Sequence, residues 1–163
     1  MSENPSPGPE DDVVLLLQAC SVTLNDRVLA DTRRTAGKDL RISDGFVFQH
    51  LLTRPMSVTE LGQRLGVTQQ AASKQIADLE ERSLVSRTPH PDDARSTLLT
   101  LTRRAHRAIT AARVARARVL EDLEAAFGPD YVDELTRALQ QLSDHTGALA
   151  RLLRREHRPA AEL

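Results

Sequence analysis

SVTELGQRLGVTQQAASKQIADLEERSLVSRTPHPDDARSTLLTLT, residues 57–102, decides the fold of this 163-residue chain. It opens on a capping box: Ser57 can accept from the backbone N–H of Glu60, and the Glu60 carboxylate can reach back to the N–H of Ser57. Val58, Leu61 and Leu65 share one helical face. Gly66 stands where that helix must stop, because glycine takes a positive φ at no steric cost. Thr68 caps a second helix, running to about Arg82. Two short helices joined through a glycine turn form a helix-turn-helix.

In the second helix Ala72, Ile76 and Leu79 point inward by their spacing. Gln69, Gln70, Ala71, Ser73 and Lys74 occupy the N-terminal half, with the polar ones facing out, and that half of a recognition helix meets base edges. Glutamine matches the donor and acceptor of adenine, and lysine reaches phosphate or guanine. Taken alone, the same pattern also describes the solvated face of an ordinary core helix. The sequence after it supports the DNA reading. Leu84 to Thr88 and Ser96 to Leu101 read as short strands around a turn-rich loop, Pro89 to Arg95. A hairpin after a recognition helix is a wing, and Arg95 at its tip suits a narrow minor groove. Asp93 could hold the Arg95 guanidinium in position.

These segments resemble the MarR family of transcriptional regulators. The likeness rests on SVTELGQRLGVT, on the recognition helix TQQAASKQIADLEERSLV, on PDDAR with its Asp-x-Arg, and on LLTLT leading into a long helix; it covers residues 42–107. Three positions depart from the family pattern. Ser83 replaces a glycine after the recognition helix, Ala94 replaces a second wing arginine, and Ala105 replaces a glycine early in the long helix. The resemblance implies a mainly α fold: a winged helix-turn-helix with a small β-hairpin wing, plus a helical dimerisation layer. It implies a homodimer on a palindromic operator in double-stranded DNA, a repressor role and a small-molecule effector. Ser57 and Thr68 would meet phosphates at helix N-termini. Effectors in the family commonly bind between the dimerisation helices and the wing module. Here that places the cleft among the first, second and fifth helices, with Arg27, Phe46, Phe48 and Gln49 as candidate lining.

The remaining sequence agrees in organisation. Residues 1–10 hold three prolines and no packing run, and are expected to be a disordered tail. Residues 11–41 form an N-terminal dimerisation helix, 42–101 the DNA-binding region, and 102–163 C-terminal dimerisation helices. Ser43, Thr102 and Asp130 are the expected caps of the second, fifth and last helices. The last helix is expected to carry Val132, Leu135, Leu139, Leu142, Leu149, Leu152 and Leu153 as one stripe. The net charge of −1 is unusual for a DNA binder, but residues 57–107 carry eight basic against six acidic side chains, so the patch must come from arrangement.

Other chemistry finds little support. The five histidines are scattered, with no zinc spacing, and no P-loop, dinucleotide or nucleophile-elbow motif occurs, so neither enzyme, metal nor cofactor is expected. No stretch is expected to be long and apolar enough to span a membrane, and no secretory signal is expected. The family resemblance places the protein in the bacterial cytoplasm, at the nucleoid. Cys20 lies among Leu16, Leu17 and Leu24 and is expected to be buried and inert. Two alternatives remain: a redox-sensing regulator using Cys20, and a winged-helix interaction module that binds protein and not DNA.

Overall fold

A computed structural model describes the backbone of residues 8–91 and 93–153, and the side chains of these except 93–95 and 153. The elements run α1 (Val13–Ala36), α2 (Asp44–Thr53), α3 (Val58–Arg64), α4 (Gln69–Glu81), β1 (Val85–His90), β2 (Asp93–Leu101), α5 (Arg103–Phe127), α6 (Pro129–Thr146) and α7 (Ala148–Leu153). This is the mainly α winged helix-turn-helix expected. The disordered-tail expectation for residues 1–7 lies outside the described residues.

The core sits where α2, α3, α4, the hairpin and the start of α5 converge. Val47, Met56, Leu61, Leu65, Ile76, Leu79, Leu84 and Leu99 are fully buried there. Its side chains are aliphatic with one aromatic, Phe48, so shape and packing density hold it together. Gly62 lets α3 and α4 approach: a Cβ there would lie 3.2 Å from that of Ala72. Gly66 takes φ 64° in the turn between them. The strands pair antiparallel, from Val85 opposite Leu101 to Pro89 opposite Thr97, with an irregularity between Pro89 and His90. Leu99 N–H also donates to Met56 O at 2.8 Å, tying the hairpin to the segment before α3.

Several local expectations need correction. The strands extend further into the wing than read, to His90 and from Asp93, which leaves a tighter turn. Ser43 does not cap α2. It already has helical dihedrals, so its side chain cannot turn back, and the Asp44 carboxylate instead accepts from Arg41 N–H at 2.9 Å. Asp130 lies inside the first turn of α6, whose cap position is Gly128. The capping box is half formed. Ser57 Oγ accepts from Glu60 N–H at 3.2 Å, but Glu60 turns to Arg54 and Arg64, since two guanidiniums outweigh one amide. The last helix is broken at Gly147, which takes φ 66° and ends α6.

α1 brings two corrections. It is long and apolar enough to cross a membrane by length and composition. Yet Arg27 forms an ion pair with Asp122 of α5, and Thr32 is buried against the rest of the fold. Cys20 is exposed, not buried, because among the described residues nothing covers the N-terminal half of α1 at that level.

Candidate nucleic-acid interface

The helix-turn-helix presents α4 by its N-terminal half. Thr68 has extended dihedrals, and its hydroxyl accepts from Ala71 N–H at 3.2 Å. Ala72, Ile76 and Leu79 are buried, which turns Gln69, Gln70, Ala71, Ser73 and Lys74 out to solvent together. Lys74 has no ion pair among the described residues, so its charge is free for a partner. Ser57 sits at the start of α3, flanked by Arg54 and Arg64, which share the Glu60 carboxylate. Burial pushes the Glu60 carboxyl up, but the two guanidiniums more than offset this and hold it below its ordinary value. These arginines were not singled out from the sequence, although basic residues within a turn of a helix start are a readable signal.

The hairpin carries Arg87 against Glu80 of α4 at 3.0 Å. The expected hold of Asp93 on Arg95 falls on side chains outside the described residues. The backbone of both residues lies in β2, where Asp93 pairs with His90 at the end of β1.

A cleft of about 270 Å3 opens between α1, α2 and α5. Phe48 and Gln49 line it as expected, whereas Arg27 and Phe46 do not. Arg27 is turned to Asp122, and Phe46 packs on the core. The walls are apolar through Val28, Leu29, Ile42, Leu52 and Ile109. Arg41 of the α1–α2 loop and Arg113 and Arg116 of α5 supply cations, and Arg113 and Arg116 have no ion pair among the described residues.

Beside the cleft lies an ionic cluster that the sequence reading missed. Arg82, at the C-terminal cap of α4, donates to both oxygens of Asp44, each at 2.8 Å. Their side chains are 11% and 3% exposed, so this pair is sealed from water. Arg82 also donates to Asp78 at 2.5 Å, and Arg41 reaches Asp78 at 3.2 Å. Arg104 of α5 holds Asp39 at 2.5 Å and donates to the Arg82 carbonyl. The hydrogen bonds to Asp44 raise the Arg82 pKa, while Arg82 lowers that of Asp78 and Arg104 that of Asp39. Arg82 and Asp78 stand at i,i+4 and were legible; Asp44, 38 residues away, was not.

Residues 39–96, the segment containing α2, the helix-turn-helix and most of the wing, match the sequence profile of the MarR family. The match is confined to this segment, which is where the chain is similar to the MarR family. No curated protein matches it in sequence. Among solved structures, the chain is similar to the YusO protein of Bacillus subtilis, at 19% identity over 83% of this chain and 94% of that one, with a TM-score of 0.67. It is similar to the transcriptional repressor CouR bound to a 23-mer DNA duplex, at 25% identity over 87% and 99%, with a TM-score of 0.58. It is also similar to the PcaV transcriptional regulator of Streptomyces coelicolor in complex with its natural ligand, at 17% identity over 88% and 98%, with a TM-score of 0.56. The fold shared with these structures thus extends beyond the matched segment, to the long helices on either side.

Proposed function

We propose that the chain is a homodimeric DNA-binding transcriptional regulator, a repressor released by a small organic anion. The observation that carries this reading is the exposed polar half of α4, held outward by a fully buried apolar stripe and flanked by a wing. Gln69, Gln70, Ala71, Ser73 and Lys74 would read a major groove, with Arg95 in the adjacent minor groove. Ser57, Thr68, Arg54 and Arg64 would position phosphates. The likeness to a repressor bound to DNA supports this. The cleft's free guanidiniums above apolar walls suit an anion with an apolar body, and the likeness to a ligand-bound regulator supports an effector. Two-fold pairing through the terminal helices would set two α4 helices about 34 Å apart on a palindrome.

A duplex selected from a random pool by this protein tests the reading. Binding should fall steeply as salt rises. Gln70→Ala should lose roughly 1–3 kcal/mol of discrimination at one or two base positions and keep its non-specific affinity. Arg95→Ala should weaken all sequences alike and flatten the salt slope by about one unit. If no duplex is enriched and none binds at low salt, the chain is an interaction module instead.

A further inference from the structure

The wing is mounted on the body at both strands of one rung. Arg87 of β1 stands opposite Leu99 of β2, and facing residues of an antiparallel pair point to the same side of the sheet. Leu99 is fully buried, and its N–H donates to Met56 O, which fixes β2 to the segment before α3. Arg87 fixes β1 to α4. Its guanidinium forks onto Glu80: Nε donates to the two carboxylate oxygens at 3.0 and 3.3 Å, and an amino group donates to Oε2 at 3.2 Å. Outward of this rung no described side chain of the hairpin is buried. Bonds from Thr88 Oγ1 to Leu98 O and between the Ser86 and Thr100 hydroxyls brace the strands against each other, so the hairpin moves as one piece. Glu80 lies two residues from both Asp78 and Arg82, about 200° around the helix, so the fork stands on the opposite side of α4 from that ionic cluster.

From this geometry we propose that Glu80 is a positioning residue that aims the wing. Through Arg87 it fixes the angle between the hairpin and the recognition helix, and so keeps the minor-groove contact in step with the major-groove contacts. The inference rests on the DNA-binding reading above. Without the fork, β1 is anchored at its root by the buried Leu84 and Val85, and the hairpin outward of Leu99 is free to swing. β2 runs four residues outward from Leu99 to Arg95, roughly 13 Å at the rise of a strand. A swing of about 10° then displaces the backbone at Arg95 by roughly 2 Å, more than a hydrogen bond tolerates. Both partners are partly exposed, and an exposed ion pair adds little to folding, so what the fork supplies is direction.

The test turns on a sign. Removing a carboxylate near DNA strengthens binding if charge alone matters, whereas losing a positioning residue weakens it. Glu80→Gln in the full-length protein is compared with the wild type on the selected duplex, by salt titration and by hydroxyl-radical cleavage of the DNA sugars. The wild type should protect sugars in the minor groove beside the α4 site, and the variant should leave them open to cleavage. The salt slope of Glu80→Gln should flatten by about one unit, as for Arg95→Ala. Its discrimination at the base positions read by Gln70 should match the wild type. On the Glu80→Gln background, Arg95→Ala should change affinity by about twofold or less, whereas independent sites would show its full effect again. Should Glu80→Gln lose its thermal transition, Arg87→Gln takes its place, with the same expectations for the sugars, the base discrimination and Arg95→Ala. Binding by Glu80→Gln as tight as wild type or tighter, with the sugars still protected, would overturn the role of the fork and leave DNA binding standing. Base discrimination by the wild type without protection of those sugars would overturn the wing placement, and this inference with it. No complex with any duplex would overturn the DNA reading itself.

Discussion

Ser83 is the one non-glycine among the described residues with a positive φ, 54°. It follows α4 at the position where the family resemblance leads one to expect glycine. An L-residue in this region carries about 1–2 kcal/mol of steric strain. Neighbouring hydrogen bonds hold it there: its N–H donates to Glu80 O at 2.8 Å and its carbonyl accepts from Thr102 Oγ at 2.7 Å. Ser83→Gly should therefore stabilise the fold by about 0.5–1 kcal/mol, the strain relieved less the extra entropy glycine loses on folding. Urea unfolding checks this, with a higher midpoint at unchanged slope. A lower midpoint would mean the serine is not strained. Ala105 is the opposite case. It too replaces a family glycine, but it is fully buried, so its methyl fills core space and Ala105→Gly should destabilise the fold by about 1 kcal/mol, measured the same way.

At the scale of elements, the joint between α2, α4 and α5 is ionic. Arg82 holds the Asp78 carboxyl below its ordinary value of 3.8, and Arg104 does the same for Asp39. A carboxyl depressed in the folded state contributes stability above its unfolded pKa and loses it as pH falls through the folded one. The melting temperature should thus be nearly level between about pH 8 and pH 5 and fall below about pH 4. Asp78→Asn should flatten that acid limb, because one of the depressed groups is gone. An equally steep limb in the variant would place the acid sensitivity elsewhere. Both carboxylates are partly exposed, so added salt should soften the limb as well.

For the whole molecule the governing observation is apolar surface left uncovered at both ends of the chain. On α1, Val13, Val14, Leu15, Leu16 and Val22 are exposed; on α6 and α7, Tyr131, Leu135, Leu139, Leu142, Leu149 and Leu152. Val132 is the one residue of α6 that its own subunit buries. Among the described residues this is more exposed apolar surface than soluble monomers usually carry, as a surface that a partner covers would be. A second copy is the occupant that the two-half-site reading requires. Leu142→Glu should lower the melting temperature and make it more dependent on protein concentration. Sedimentation of the wild type at micromolar concentration should show a dimer; a well-folded monomer there would sink this arrangement.

The sequence by itself determined the local units: α3, α4 and α5 with their caps, the wing after α4, and the outward set Gln69, Gln70, Ser73 and Lys74. These follow from periodicity, caps and a glycine turn, all acting within about four residues of one another. Where a cap had rivals nearby in space, local reading failed, as with Ser43 against Asp44 and with Glu60, which preferred two arginines. The tertiary structure alone decided three further things. It joined Asp44 to Arg82 and brought Arg41 beside Arg113 and Arg116, since contacts between distant residues depend on how helices pack. It also left Cys20 in solvent, although its apolar neighbours pointed to burial. A stripe shows only that a helix wants a partner surface; whether its own chain supplies one is decided by the number and direction of the other elements, and here no described element covers the N-terminal half of α1.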